Sequence, residues 1–289
     1  MNNQNKITVF GATGKIGKEL LVFLSKANIS TIAVTRDKSK TTAMHRIEWK
    51  EADMNNKDSL IEILQESKSV FMATSVNQNF VAEQNHVIEI AKQYGVQHIV
   101  KISSPGSDKK SQSFIARTNG EVEDFLKNAG IDFTIIQPNS FMQNWIGYFS
   151  ETIRCERKVY EAAGDGKKPF IDTRDIAEVA FNILTEPTKH INKTYLLTGG
   201  VAVSYGQIAE AIGNAIGEAV TYVSMTSDEA RQRMIEKGMP PMMVDTFLAI
   251  SEGQRNGKAD FVNTVGEEIL GKRLITVEQF AKDYAESFR

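Results

Sequence analysis

Gly11, Gly14 and Gly17 fall three residues apart in the run Gly11-Ala12-Thr13-Gly14-Lys15-Ile16-Gly17. Residues without side chains at this spacing suit a pyrophosphate. One makes a tight turn, one lets the backbone approach the phosphates, and one brings helix against strand. The amides and positive dipole end of the helix that follows complete an anion site. The run is the wider G-x-x-G-x-x-G form, and it is not a P-loop, because Lys15 precedes the last glycine and no Gly-Lys-Ser/Thr follows. A glycine string alone serves equally well as a packing turn. Its place directly after the apolar Ile7-Thr8-Val9-Phe10 marks a dinucleotide site, with Gly11, Thr13, Gly14, Lys15, Ile16 and Gly17 as contact residues.

The end of the second strand selects the nucleotide. A carboxylate there would accept from a ribose 2′-OH, and a cation would meet a 2′-phosphate. The sequence reads Val34-Thr35-Arg36-Asp37-Lys38-Ser39-Lys40. Arg36 leaves the strand first, and its planar fork suits phosphate. With Lys40 behind it, NADP is expected, NADPH over NADH. Asp37 is the rival: turned inward, it would favour NAD.

These residues need a frame to hold them. Strands are expected at Ile7–Phe10, Ile29–Thr35, Ser69–Ala73, His98–Ile102 and Phe133–Ile136, with a marginal one at Arg46–Trp49. Helical spacing runs through Ile16–Ala27, Ser59–Leu64, Phe80–Tyr94 and Ala116–Ala129. Alternation at this spacing, with continuously apolar strands, predicts an α/β fold with a doubly wound parallel sheet. The expected division is a Rossmann-type nucleotide domain over 1–155 and a smaller α/β C-terminal substrate lobe over 156–289, interleaved near 170–200. In that second part, Phe170–Asp172 reads as a short strand, Asp175 as the N-cap of a helix, and Ser204 as another cap.

The 289 residues carry 34 Lys+Arg against 36 Asp+Glu, 41% hydrophobic residues and one cysteine, Cys155. No basic block points to nucleic acid, and no stretch approaches a membrane span. Lys6 and the short apolar run after it do not read as a signal peptide, so a cytoplasmic protein is expected. His45, His86, His98 and His190 are scattered, and no metal is expected.

Several segments together resemble the NmrA-like family of atypical short-chain dehydrogenase/reductases, and within it the bacterial quinone oxidoreductase type 2 and triphenylmethane reductase branch. They are Gly11–Gly17, Trp49–Met54, Val96–Ser104, Asn119–Glu123, Phe133–Asn144, Phe170–Ala177 and Asn192–Tyr195, in this order along essentially the whole chain. The resemblance implies that Asp53, with Met54 beside it, touches the adenine edge. Ser103 is at the place of the family's strand-end serine, and Thr74, Ser75 and Asn77 after the fourth strand and Asn139 after the sixth are expected at the cofactor too, because ligands in such sheets bind beyond the strand C-termini. The resemblance leaves the activity open between reductases, redox-sensing regulators without turnover, and relatives of nucleoside-diphosphate-sugar epimerases and isoflavone reductases.

The main departure lies after the fifth strand. Conventional members carry a Tyr-x-x-x-Lys pair for proton transfer, whereas no tyrosine occurs between Tyr94 and Tyr148 here. Alcohol dehydrogenation needs that proton step. A quinone-like or other activated small acceptor does not, because its reduced oxyanion is stabilised by delocalisation. Phe80, Pro105, Phe141, Met142 and Trp145 are the expected acceptor walls, although the spacing of Phe141, Trp145, Tyr148 and Phe149 suits a packed helix equally well. Lys101, inside a strand, either faces the cofactor or snorkels. A homodimer is left open.

Overall fold

The computed structural model describes residues 5–289. The elements run β1 (Lys6–Phe10), α1 (Lys15–Lys26), β2 (Thr31–Thr35), β3 (Ile47–Glu51), α2 (Lys57–Leu64), β4 (Ser67–Met72), α3 (Phe80–Gln93), β5 (His98–Ile102), α4 (Phe114–Asn128) and β6 (Asp132–Pro138). Then come α5 (Asn144–Tyr148), α6 (Ser150–Glu156), β7 (Lys158–Glu161), α7 (Thr173–Thr185), β8 (Lys193–Leu197), α8 (Tyr205–Ile216) and β9 (Thr221–Ser224). The chain closes with α9 (Ser227–Glu236), α10 (Pro241–Arg255), α11 (Val265–Leu270) and α12 (Val277–Asp283).

Two compact units share these elements. The first comprises 1–138 and 173–196, the second 139–172 and 197–289. The division falls after Pro138 rather than at 155, because the chain leaves the sheet as soon as β6 ends.

In the first unit a seven-stranded sheet has the order β3-β2-β1-β4-β5-β6-β8. β1 pairs in parallel with both β2 and β4. The winding therefore reverses at β1, and a crevice opens beyond the C-terminal ends of β1 and β4. β2 is buried along its whole length, as a strand covered on both faces must be. α1 buries Ile16, Leu20, Leu21 and Leu24 along one stripe. On this helix Phe23 meets Phe181 of α7 with ring centroids 5.9 Å apart.

The marginal segment at 46–49 is a full edge strand. β3 pairs with β2 in parallel over Ile47–Glu51. Its alternating charges find partners: Glu48 meets Lys6 at 2.8 Å and Lys50 meets Glu66 at 2.5 Å. Exposure of one edge explains why the strand is not continuously apolar.

The second unit packs α8 and α12 around a core that includes Trp145, Phe149, Phe170, Ile208, Ile212 and Phe280. β7 and β9 form a small parallel sheet. Ser204 caps α8 in a capping box with Gln207. Phe170–Asp172 is not a strand but an isolated bridge in which Ile171 pairs with Phe141. In the first unit, Asp175 is not an N-cap: α7 begins at Thr173, and Asp175 lies in its first turn. A carboxylate there still complements the helix dipole. Among the described residues no helix is long and apolar enough to cross a membrane.

Candidate functional site

A cleft of about 480 Å³ lies beyond the ends of β1, β2 and β4 in the first unit. Gly11, Thr13, Gly14, Arg36, Asp53, Met54, Thr74, Ser75 and Asn77 line it, so the structure brings these nine expected residues together. Gly11 has φ +78°, and a Cβ there would sit 2.2 Å from the Ala73 carbonyl oxygen. A Cβ on Gly17 would sit 2.2 Å from the Gly11 oxygen. The turn after β1 is thus pressed between the end of β4 and α1, and neither contact leaves room for a side chain. Gly14 is the N-cap of α1 and no side chain caps the helix, so the first-turn amides face the cleft end without a built-in acceptor.

Arg36 is exposed and has no ion-pair partner among the described residues, yet its positive charge helps hold the Asp53 carboxyl below the usual range. The larger causes are the Asn55 amide at 2.9 Å and the Asn55 side chain at 3.0 Å. Asp37 turns away. Its carboxylate accepts from the Ser39 amide at 2.9 Å and the Ser39 hydroxyl at 2.6 Å.

Lys40 is not in the cleft: its ammonium lies 3.5 Å from Asp37. Lys15, Ile16 and Gly17 belong to the first turns of α1 behind the loop rather than to the lining. Phe80 is a core side chain, 2% exposed, with the Lys101 ammonium 5.4 Å from its ring centroid. Ser103 is not among the cleft lining residues and donates to Glu123 at 2.6 Å, because α4 brings a buried carboxylate to the end of β5. Pro105 is exposed on the turn that follows.

Four other expected residues belong to the second unit. Asn139 Oδ1 accepts from the Ser140 amide at 2.7 Å. Met142 and Trp145 are each 2% exposed and pack in that unit's core, and the Trp145 ring lies 5.0 Å from Phe170 and 5.3 Å from Phe280. Phe141, half-buried, is held by its bridge to Ile171.

The cleft also contains residues that sequence reasoning missed. Asn55, Asn79 and Glu83 line it. The buried Glu83 carboxylate accepts from Asn55 at 3.1 Å and from Asn77 at 3.0 Å, which joins the turns after β3 and β4 to α3. The signal was present in the three amides Asn55, Asn77 and Asn79 close to strand ends, with Glu83 one helical turn beyond Asn79. His86, on the same helix, has Nδ1 3.3 Å from the Met54 carbonyl oxygen.

Lys101 neither faces the cleft nor snorkels. It is fully buried, donating at 2.7 Å to Asn119 Oδ1 and at 2.9 Å to the Ile102 carbonyl. Burial pushes its pKa down to about 7, against the charge of Glu123.

The family model for the NmrA-like family matches residues 3–281. The chain belongs to the NmrA-like family. It is 32% identical over 287 residues to an NAD(P)H azoreductase of Xenophilus azovorans, covering 98% of this chain and 99% of that protein. The NmrA-like fold recurs in solved structures of lower identity. The NADPH complex of a quinone oxidoreductase from Escherichia coli has a TM-score of 0.85 at 23% identity, with 96% of this chain and 99% of that chain covered. NmrA itself, a negative transcriptional regulator solved with NADP, has a TM-score of 0.80 at 16% identity, covering 98% and 96% of the two chains.

Proposed function

We propose that the protein is an NADPH-dependent reductase that passes hydride directly to a quinone-like or other activated small acceptor, without a Tyr-x-x-x-Lys pair. The carrying observation is the cleft at the switch point, with Arg36 unpaired on its wall and the rival Asp37 bound to Ser39. The cofactor is NADP(H). The amides after Gly14 hold its pyrophosphate, Arg36 its 2′-phosphate, and Asp53 and Met54 its adenine edge. Its dihydronicotinamide supplies the hydride when bound.

The segment between β5 and α4 supports an acceptor that needs no strong acid. It has no tyrosine. Its serines bond one another and Glu123: Ser103 meets Ser107 at 3.1 Å, and Ser104 meets Ser107 at 2.9 Å. The enzyme's task is then to bind and orient the acceptor. The similarity to an NAD(P)H azoreductase is in keeping with an activated acceptor of this kind.

The test follows loss of NADPH absorbance with benzoquinones and, separately, with ketones. Cofactor deuterated at one C4 face at a time adds the stereochemistry. Quinone turnover with a primary isotope effect from one face only is the expected result. Tight NADPH binding with no enzyme-dependent oxidation by any quinone would instead favour a redox sensor. The same missing tyrosine is the observation that supports that second reading.

A further inference from the structure

Glu83 is a buried carboxylate, 7% exposed, on the wall of the nucleotide cleft. It stands in the first turn of α3 and takes one amide hydrogen from each of two neighbouring turns. Asn55 Nδ2, after β3, donates to its Oε1 at 3.1 Å, and Asn77 Nδ2, after β4, donates to its Oε2 at 3.0 Å.

The direction of both side-chain amides is fixed by their other bonds. Asn77 Oδ1 accepts from the Asn79 backbone amide at 2.6 Å, a group that only donates, so Nδ2 is the atom left to face Glu83. Asn55 Nδ2 lies 3.0 Å from Asp53 Oδ1 and 3.1 Å from Glu83 Oε1, so two carboxylates share its two hydrogens. The Asn55 backbone amide is spent on Asp53 Oδ1 as well, at 2.9 Å.

The turn that remains in the cleft is one-sided. Among the described residues Asp53 Oδ2 and Asn55 Oδ1 accept no hydrogen bond, and both residues are exposed members of the cleft lining. With both Asn55 hydrogens taken, this turn offers acceptors and no side-chain donor. A 6-amino purine brings an N–H to such an edge. A 6-oxo purine brings an oxygen against a carboxylate and an amide oxygen, which leaves them unpaired and sets like charges together.

We propose that Glu83 sets the base specificity of the cleft: by holding the Asn55 amide nitrogen to itself, it keeps an acceptor-only edge for the exocyclic amine of adenine. The inference rests on the cofactor part of the proposed function and on nothing about the hydride acceptor. Glu83 acts through Asn55 and is a positioning residue.

Calorimetric titration with NADPH and with its hypoxanthine analogue, deamino-NADPH, reads the preference as a ratio of affinities. The analogue has an oxygen in place of the 6-amino group. Wild type should bind it about tenfold more weakly or worse. Glu83→Gln introduces a donor. Asn77 cannot turn, because the Asn79 amide holds its oxygen, so the introduced nitrogen faces Asn55 and turns that side chain over. A donor then reaches the edge, and the preference should fall to under about threefold. Glu83→Asp keeps an acceptor-only group and should keep a larger preference than Glu83→Gln, even where both affinities drop. A role in packing alone would weaken the two ligands alike and leave the ratio unchanged. Asn55→Ala, at an exposed turn position, removes one acceptor from the same edge and should lower the ratio too, so it decides the matter if a Glu83 variant fails to fold. Thermal unfolding of each variant is the folding control.

A wild-type protein that binds NADPH tightly and deamino-NADPH equally well overturns the inference and leaves the cofactor reading standing. So does a wild-type ratio in folded Glu83→Gln or in Asn55→Ala. A wild-type protein that binds neither ligand overturns both.

Discussion

Asp37 and Ser39 form a closed pair: the carboxylate accepts from both the amide and the hydroxyl of Ser39, at 2.9 and 2.6 Å. These bonds hold the Asp37 carboxyl below the usual carboxylate range, the hydroxyl contributing most. The one carboxylate placed to choose NADH is thereby engaged within its own turn, and Arg36 is left to meet the nucleotide.

Arg36→Ala should therefore weaken NADPH binding about 10- to 100-fold, the scale of one or two charge-assisted hydrogen bonds. NADH binding should change by no more than about threefold, within the usual spread for a surface substitution. Calorimetric titration of both cofactors reads the difference. Equal losses for the two would mean that Arg36 does not reach the 2′-phosphate.

Two glycines of one loop should behave differently. Gly11→Ala forces a Cβ to within 2.2 Å of the Ala73 oxygen at a φ of +78°. Strain and overlap together should cost well over ~1 kcal/mol and lower the melting temperature by many degrees. Gly14→Ala meets only the Gly11 oxygen, at 3.1 Å, and Gly14 has a φ of −80° that any residue adopts. Its melting temperature should stay near wild type. A Gly11→Ala protein that melts like wild type would contradict the close packing of this turn on β4.

The sheet and its loop were legible because both are local. Apolar runs such as Ile7–Phe10 declare a strand buried on two faces, and the glycines follow at once. What was not legible depends on partners far along the chain. Lys101 lies in a strand whose sequence does not say which way an ammonium points; Asn119, on α4, decides it. Ser103 looked like a strand-end cofactor residue until Glu123 arrived from the same helix. Lys40 and Arg36 read alike as cations, and only the fold of a single 3₁₀ turn gives Lys40 to Asp37. Trp145 and Phe149 were legible as a helix face, but their burial against Phe170, Phe280 and Tyr205 needs three other segments. The short elements α5, α6 and β7 left little pattern, since none exceeds two turns or four strand residues.

Glu123 should matter more to folding than Ser103. Its Oε1 accepts from Ser103 at 2.6 Å and from Gln137 at 2.7 Å, and its Oε2 lies 2.9 Å from the half-exposed Lys127. Ser103→Ala removes one donor and leaves the carboxylate bonded, which should cost about 1 kcal/mol. Glu123→Leu strips the buried Ser103 and the half-buried Gln137 of their acceptor and should cost about 2–3 kcal/mol. Urea unfolding of both variants gives the comparison. A Glu123→Leu protein no less stable than Ser103→Ala would show that these bonds do not hold the end of β5 to α4.

Acid should unfold the protein partly through His98. The Thr134 hydroxyl donates to the His190 carbonyl at 2.8 Å, so toward His98 Nε2, also at 2.8 Å, it can only accept. Nε2 therefore carries a proton. Nδ1 is buried with no partner, and a second proton would place a bare N–H in the core. Burial lowers the His98 pKa from 6.5 to about 4; the Asp132 charge opposes the shift and His190 adds to it. Between those two values the unfolded chain binds a proton that the folded chain refuses, so stability is full above about 6.5 and is lost as pH falls toward about 4. The loss should reach at most about 1.4 kcal/mol per pH unit. His98→Leu removes the titrating group and leaves Thr134 its bond to His190. Its unfolding free energy, measured by urea titration across the same window, should fall less steeply with acid than that of wild type. Parallel curves for the two proteins would mean that His98 takes up its proton in the folded state as readily as in the unfolded one.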